Sequence, residues 1–285
     1  MKRRLIKEYK FNTPNPWDAV FSAPIYYKNG TIYYPYGMSS TRFCRKIKVD
    51  GTVEELTFTF PINMVAHPSD WKLFEYEGHV ILSCGNQVPA TEVFPDKIVK
   101  SIFLDLDDGM KEIQLPIDLE KQNLCSMPVD ETVDSVLSDC IMKYKNSSSY
   151  QCFDFSGRLL WTEKHKGYRY TDFEEKDDCI IFGTAGHGGG LYCYRKTDGK
   201  CLCAVDTKGT ASYTWCHNRI VSRGRNGELL FVDPFKGEIE ESIKLNGRMS
   251  DCSSFYADGN ILCAVGFEEK THSPCVYVFD TAADE

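Results

Sequence analysis

Apolar and polar positions alternate with a period of two along most of this chain, and a sustained helical period of 3.6 is missing. The runs Thr31-Ile-Tyr-Tyr-Pro-Tyr, His79-Val-Ile-Leu-Ser-Cys and Asp178-Cys-Ile-Ile-Phe-Gly are short and rich in β-branched and aromatic residues. Such runs fit a pleated, half-buried surface and predict strands. The best helical candidate, Pro116-Ile-Asp-Leu-Glu-Lys-Gln-Asn-Leu, amounts to one or two amphipathic turns. The pattern predicts an all-β chain.

The strands recur in a fixed order. A strand, a tight turn and a second strand appear in Phe43-Cys-Arg-Lys-Ile-Lys-Val-Asp-Gly-Thr-Val-Glu-Glu-Leu, again around Asp105 to Gly109, and in Tyr150-Gln-Cys-Phe-Asp-Phe-Ser-Gly-Arg-Leu-Leu-Trp. The turn glycines of the first five units are Gly51, Gly109, Gly157, Gly199 and Gly237. A second strand pair precedes most units, around Asn29-Gly30, Glu77-Gly78, Asp177-Asp178, His217-Asn218 and Asp258-Gly259. Four antiparallel strands repeating at roughly 40–50 residues predict a β-propeller. A lone four-stranded sheet buries neither face, whereas sheets packed against one another cover both. Six blades are expected. Seven stay open, because the third unit shows its first strand pair poorly. The last unit ends after its third strand, and an N-terminal strand at 3–11 is left over. It is expected to pair with the C-terminal blade (248–282), closing one domain over residues 1–285.

The segments Gly190-Leu-Tyr-Cys-Tyr-Arg-Lys-Thr-Asp-Gly-Lys-Cys-Leu-Cys and Gly227-Glu-Leu-Leu-Phe-Val-Asp-Pro-Phe-Lys-Gly-Glu-Ile-Glu resemble the repeat of quinoprotein-like and WD-repeat-like propellers. The unit from Tyr150 carries that repeat's closing tryptophan at Trp161, and other units place Cys203 or Ser242 there. The resemblance implies strand and turn geometry, and no cofactor is expected from it.

Charge narrows the partners. Thirty-three Lys and Arg against 41 Asp and Glu give a net charge of −8, which disfavours a nucleic-acid partner. No apolar run approaches the ~20 residues of a membrane-spanning helix. The basic N-terminus has no apolar core of the kind a secretory signal needs. Thirteen cysteines, set mostly within apolar runs, read as reduced, buried thiols in a cytoplasmic protein.

Candidate chemistry falls on the loops that join successive blades and on those between second and third strands, which share the funnel face of a propeller. Asp18, Asp70, Asp172 and Asp251 lie in the first set. With His187, the candidates Asp70, Asp172 and Asp251 would supply acid/base groups for an enzyme acting on a carbohydrate or small metabolite in the central channel. The plainer reading is that each aspartate caps the entry of its chain into an inner strand. His67, His187 and His272 come from different blades, and no metal site is expected from them; His79 and His217 read as surface groups near turns at the other end. Gly183-Thr-Ala-Gly-His-Gly-Gly-Gly-Leu reads as a flexible connection, since a phosphate cradle would need a following helix. Arginine and aromatic residues on the same loops (Trp17, Trp71, Tyr168, Tyr170, Tyr213 and Trp215 with Arg169, Arg223, Arg225 and Arg248) have the composition of a recognition surface. From these, Trp17, Trp71, Tyr170, Tyr213, Arg223 and Arg225 are the expected binding residues. The preferred expectation is a non-enzymatic module that binds a protein or peptide, with a small-molecule or glycan ligand as the alternative.

Overall fold

The computed structural model describes residues 4–12, 24–37, 41–59, 71–87, 99–122, 134–208, 212–249 and 254–282. They form six antiparallel sheets, and each is built on a four-strand meander. Blade 1 contains Tyr26–Lys28, Thr31–Tyr36, Thr41–Lys48 and Val53–Thr59. Blade 2 contains Lys72–Tyr76, His79–Gln87, Val99–Asp105 and Lys111–Ile113. Blade 3 runs through Ser135–Val136, Ile141–Asn146, Ser149–Phe153 and Leu159–Lys164. Blade 4 has Glu174–Lys176, Cys179–Ala185, Gly190–Arg195 and Cys201–Asp206, and blade 5 has Tyr213–Cys216, Arg219–Arg223, Leu229–Asp233 and Glu238–Ile243. Blade 6 takes Phe255–Asp258, Ile261–Phe267 and Pro274–Asp280 from the C-terminus. Its fourth strand is Arg4–Lys10, antiparallel to Pro274–Asp280 with Tyr9 opposite Val276. The fold is a β-propeller. The weak helical pattern forms one short helix, Ile117–Gln122. Among the described residues no helix is long and apolar enough to cross a membrane.

The chain divides into two compact units of three blades each. Residues 1–127 with 254–285 hold blades 6, 1 and 2, and residues 128–253 hold blades 3, 4 and 5. Inside each unit the alternation of side chains dictates the packing. In blade 4 the strand Cys179–Ala185 is buried along its whole length, because its two faces meet different neighbours. Ile180 and Phe182 join Tyr150, Cys152 and Trp161 of blade 3, while Cys179 and Ile181 join Ile220, Leu230 and Val232 of blade 5. Tyr33 and Cys44 of blade 1 meet Val80, Leu82 and Leu104 of blade 2 in the same way.

The turn before each outer strand repeats one device. In blades 1 to 5 the side chains of Asp50, Asp105, Asp154, Asp198 and Asp233 each accept a backbone N–H two residues ahead, and Asp280 does the same after the third strand of blade 6. That Asx turn fixes the bend by local hydrogen bonding. The five turn glycines expected from sequence all have positive φ, from 67° at Gly109 to 97° at Gly51. Just after the turn, blades 3, 4 and 5 each carry a bulge at the same register, with Leu160, Leu202 and Glu240 as the extra residues on the fourth strand, opposite the Cys152/Phe153, Cys193/Tyr194 and Phe231/Val232 steps of the third.

These turns and bulges couple neighbouring blades in the second unit. Gly199 of blade 4 lies beneath the Trp161 ring of blade 3, where a Cβ would come within 2.6 Å of the indole. The indole N–H donates to the Lys196 carbonyl at 2.7 Å. One blade on, a Cβ at Gly237 would lie 1.9 Å from the Leu202 carbonyl oxygen, at the bulge of blade 4. The register also corrects one sequence equivalence. Trp161 faces Cys152, Cys203 faces Cys193, and the matching residue of blade 5 is Glu241, which faces Phe231. Ser242, expected there, lies one residue further on and faces Leu230 instead. A polar tie accompanies the Trp161 contact. Lys196 reaches Asp139 of blade 3 at 2.8 Å and Glu175 of blade 4 at 2.7 Å, and Glu175 also accepts from Ser138.

Candidate functional site

The most developed surface of the second unit is the end that carries the blade connections. There the chain leaving blade 3 at Lys164 forms a strap, residues 165–171, before entering blade 4. Its short strand Tyr168–Arg169 pairs with Thr184 and Ala185. The strap is held at almost every residue. His165 N–H donates to the Ser148 carbonyl, Lys166 N–H to the Tyr192 phenol, and Tyr170 N–H to the Gly183 carbonyl. The Thr184 hydroxyl donates to the Lys166 carbonyl at 2.7 Å and accepts from Gly190 N–H at 2.9 Å.

This arrangement explains the glycine-rich run differently from the sequence reading. Positive φ calls for glycine at Gly186 and Gly188, and close backbone contact calls for it at Gly190. A Cβ at Gly186 would meet the Tyr168 ring at 3.0 Å, one at Gly188 would meet the Lys166 side chain at 3.3 Å, and one at Gly190 would meet the Val205 carbonyl at 2.5 Å. The run is a fitted seat for the strap, with an ordered turn between two strands. On its outer side the strap shows Lys166 and Tyr168, the latter 50% exposed. Asp172, His187, Asp206, Arg225 and Asn226 are exposed nearby in the chain on the connections and turns of blades 4 and 5.

The same end is braced from beneath by arginine. Arg223 is buried, and its guanidinium donates to the carbonyls of Thr207 and Met249, tying the connections before and after blade 5. Thr207 in turn donates its hydroxyl to the Gly189 carbonyl at 3.0 Å. Arg169 is buried as well. Its guanidinium lies over the Phe173 ring at 4.7 Å and donates to Ser135 at 2.8 Å. Deeper in, the inner strands of blades 4 and 5 are joined by Glu174, which accepts from the Tyr213 phenol at 2.9 Å and the Trp215 indole at 2.6 Å. Lys176 sits 3.6 Å from the centre of the Trp215 ring. Burial and the Glu174 carboxylate push the Tyr213 phenol well above its ordinary pKa, so it stays a neutral donor.

The expected site residues therefore separate. Asp172 and His187 are exposed at this end, and no hydrogen bond or ion pair joins them. Asp70, Asp251 and Trp17 lie outside the described residues, as do Asp18 and His67. Two of the expected binding residues are buried. Trp71 lies in the core of the first unit, and Arg223 braces the carbonyls of Thr207 and Met249 from within the second. Tyr213 is half-buried on Glu174, and Tyr170 is half-buried in the strap. Arg225 remains exposed, 3.3 Å from Asp206. His165, Lys166 and Glu174 were missed, since a single basic tripeptide and an inner-strand glutamate carry no signal of their neighbours. Among the described residues no group of three metal-ligating side chains forms a cation site.

The first unit carries a cleft at the end of blade 2 where its second strand begins and its third strand ends. The cleft, of about 310 Å³, is lined by Tyr76, Glu77, His79, Ile81, Asp105, Ile113 and Gln114. His79 Nδ1 lies 2.7 Å from Asp105. A carboxylate only accepts, so the imidazole presents its Nδ1–H there. In blade 5, Arg219 opens the second strand as His79 does in blade 2, and it lies 3.4 Å from the turn aspartate Asp233. A basic side chain on a turn aspartate is thus shared by two blades, and the plainer role of the His79 pair is to steady its turn.

All eleven described cysteines are free, and only Cys201 is exposed. Burial pushes Cys152 and Cys263 up to about 12 and Cys203 up to about 11. These thiols are poor nucleophiles at neutral pH. A thiol-specific reagent at pH 7.5 is expected to spare the ten buried positions in the native protein and to modify them after denaturation, as peptide mass mapping would show.

No family model matches the chain, and no curated protein matches it. Solved structures do. BamB from Moraxella catarrhalis is 14% identical over 90% of this chain and 72% of its own, with a TM-score of 0.36. The computationally designed Ika8 protein is 13% identical over 91% of this chain and 70% of its own, with a TM-score of 0.38. The designed Ika4 protein is 15% identical over 53% of this chain and 91% of its own, also at 0.38. The fold assignment rests on the six sheets themselves.

Proposed function

We propose that this propeller is a non-enzymatic binding module that recognises a protein or peptide through the connection end of blades 4 and 5. The observation that carries this reading is the strap. An exposed tyrosine is held rigidly over a glycine seat, with Lys166, Asp172, His187, Asp206 and Arg225 exposed on the strap and the connections beside it. A rigid aromatic anchor with a polar rim suits protein recognition, because tyrosine offers a large contact area and loses little side-chain freedom on binding. The buried arginines support the reading as scaffold, since Arg169 and Arg223 hold the backbone that presents the exposed groups.

The test begins with random peptides displayed on phage and selected on the intact chain. For a selected peptide, Tyr168→Ala is expected to weaken binding at least tenfold, and Arg225→Glu to weaken it several-fold with a changed salt dependence. Neither residue is part of the core, so both variants should keep the wild-type melting temperature. Full affinity in Tyr168→Ala would refute the assignment of this surface.

The second reading is a small-molecule site in the blade 2 cleft. It rests on His79 and Asp105 beside Tyr76, Glu77 and Gln114. A set of planar polar groups around an apolar floor is the composition of a site for a hydroxylated metabolite. A thermal-shift screen with sugars that raises the midpoint of the wild type, and not of His79→Ala, would favour it.

A further inference from the structure

His165 is the anomaly of the second unit. Its ring is 6% exposed, neither ring nitrogen has a hydrogen-bond partner in good geometry, and only the backbone of Lys166 and Gly167 comes near enough to favour the charged form. It stacks on Tyr150 with centroids 5.0 Å apart and 18° between planes. Phe182 meets it edge-on at 5.5 Å and Tyr192 at 6.0 Å. A histidine kept in an aromatic box without partners is tolerated only as the neutral base. It is also the first residue of the strap, and its neighbour Lys166 is bonded to the Tyr192 phenol and the Thr184 hydroxyl.

We infer that His165 makes the strap a pH-sensitive latch: protonation of its ring expels it from the aromatic box and releases the segment that carries Tyr168. The inference rests on the binding reading above for its consequence and on the box alone for its mechanism. The groups facing the ring offer an imidazolium no counter-charge. The side chains are the phenols of Tyr150 and Tyr192 and the ring of Phe182, and the uncharged backbone of Lys166 and Gly167 adds the only polar groups. The Arg169 guanidinium already lies over Tyr150 at 5.8 Å, so the face that would best hold a cation has one beside it. Lys164 and Lys166 flank the histidine along the chain. No carboxylate contributes to its titration.

Burial holds the imidazole below its ordinary pKa, with the backbone at Lys166 and Gly167 opposing in part. The folded value is therefore depressed relative to the released strap. For a base, this means that the latched state binds fewer protons than the released state, so latching weakens as pH falls below the ordinary histidine value of about 6.5. If the boxed ring stays neutral, the ratio of released to latched strap rises by up to about tenfold between pH 7.5 and pH 5.5.

Hydrogen–deuterium exchange on the free chain tests this without any partner. After correction for intrinsic exchange, amides of residues 164–171 are expected to lose three- to tenfold in protection between pH 7.5 and 5.5, while strands of blade 5 keep theirs. His165→Phe fills the box without a titrating group and should abolish the difference. Should that variant fail to fold, His165→Leu serves the same comparison, and the wild-type profile alone is decisive. A change below twofold, or an equal loss across the whole unit, would overturn the latch. A selected peptide should bind more weakly at pH 5.5 to the wild type and equally at both pH values to His165→Phe. Strap release with unchanged peptide affinity would leave the latch standing and place the peptide elsewhere, so failure of the two readings can be told apart.

Discussion

Gly237→Ala is expected to destabilise the protein by about 3 kcal/mol or more, far beyond the usual effect of one added methyl group. Two penalties combine at this position. With φ at +72°, an L side chain there costs about 1–2 kcal/mol on its own. The added Cβ would also stand 1.9 Å from the Leu202 carbonyl oxygen, which is backbone and cannot swing aside. Relief requires moving the blade 5 turn away from the bulge of blade 4 and opening the apolar contact between Leu230, Val232 and Cys203. Gly157→Ala provides the internal comparison. It occupies the matching turn of blade 3 at φ +83°, but nothing lies within 4 Å of its Cβ position. Only the conformational penalty applies, so about 1–2 kcal/mol is expected. Urea denaturation of both variants measures the difference. Equal losses would show that the turn glycines serve conformation alone and that the blade contact at Gly237 contributes nothing.

Trp161→Ala is expected to cost roughly 3–5 kcal/mol, the range for removing a buried large aromatic side chain. The indole fills the space between its own blade and the Gly199 turn, packs against Tyr194 with centroids 6.2 Å apart, and satisfies the Lys196 carbonyl. Its removal leaves a cavity and an unpaired acceptor together. Trp161→Phe separates these contributions, since the ring is largely kept and only the N–H is lost. About 1–2 kcal/mol is expected there, typical of a lost hydrogen bond with its acceptor left buried. Losses of the same size in both variants would mean that packing under the ring is unimportant.

Much of the architecture was legible because repetition amplifies a weak local signal. One turn glycine says little, but Gly51, Gly109, Gly157, Gly199 and Gly237, each ahead of an alternating strand, specify a repeated hairpin, and all five have positive φ. The unpaired N-terminal strand was legible for the same reason, as the missing fourth member of a set. Register was less legible. Ser242 and Glu241 both alternate acceptably with their neighbours, and only the bulge at Glu240, opposite Phe231 and Val232, decides which one takes the place of Trp161.

The site was harder to read, because its composition is shared by surface and scaffold. Arg223 and Arg225 are two residues apart on one short loop, yet Arg223 is buried on two carbonyls and Arg225 stands in solvent beside Asp206. Arg223 ends an inward-packed strand and Arg225 sits in the turn that follows it, a difference residue type does not reveal. The glycine run at 183–191 reads as a flexible connection for a related reason. Sequence shows where a Cβ is absent, and only the fold shows what would have occupied its place, here Tyr168, Lys166 and the Val205 carbonyl. His165 had no legible signal at all, since its box is assembled from residues up to 27 positions away in the chain, at Tyr192.

The central claim is that the strap end of blades 4 and 5 is where this protein meets its partner. The most direct measurement is a hydrogen–deuterium exchange footprint of the intact chain with a selected peptide at saturation, at pH 7.5. Protection confined to residues 164–172, 186–189 and 224–228 is the result this account predicts. Protection on residues 76–81 and 105–114, with the strap unchanged, would contradict it and move the functional site to the His79 cleft.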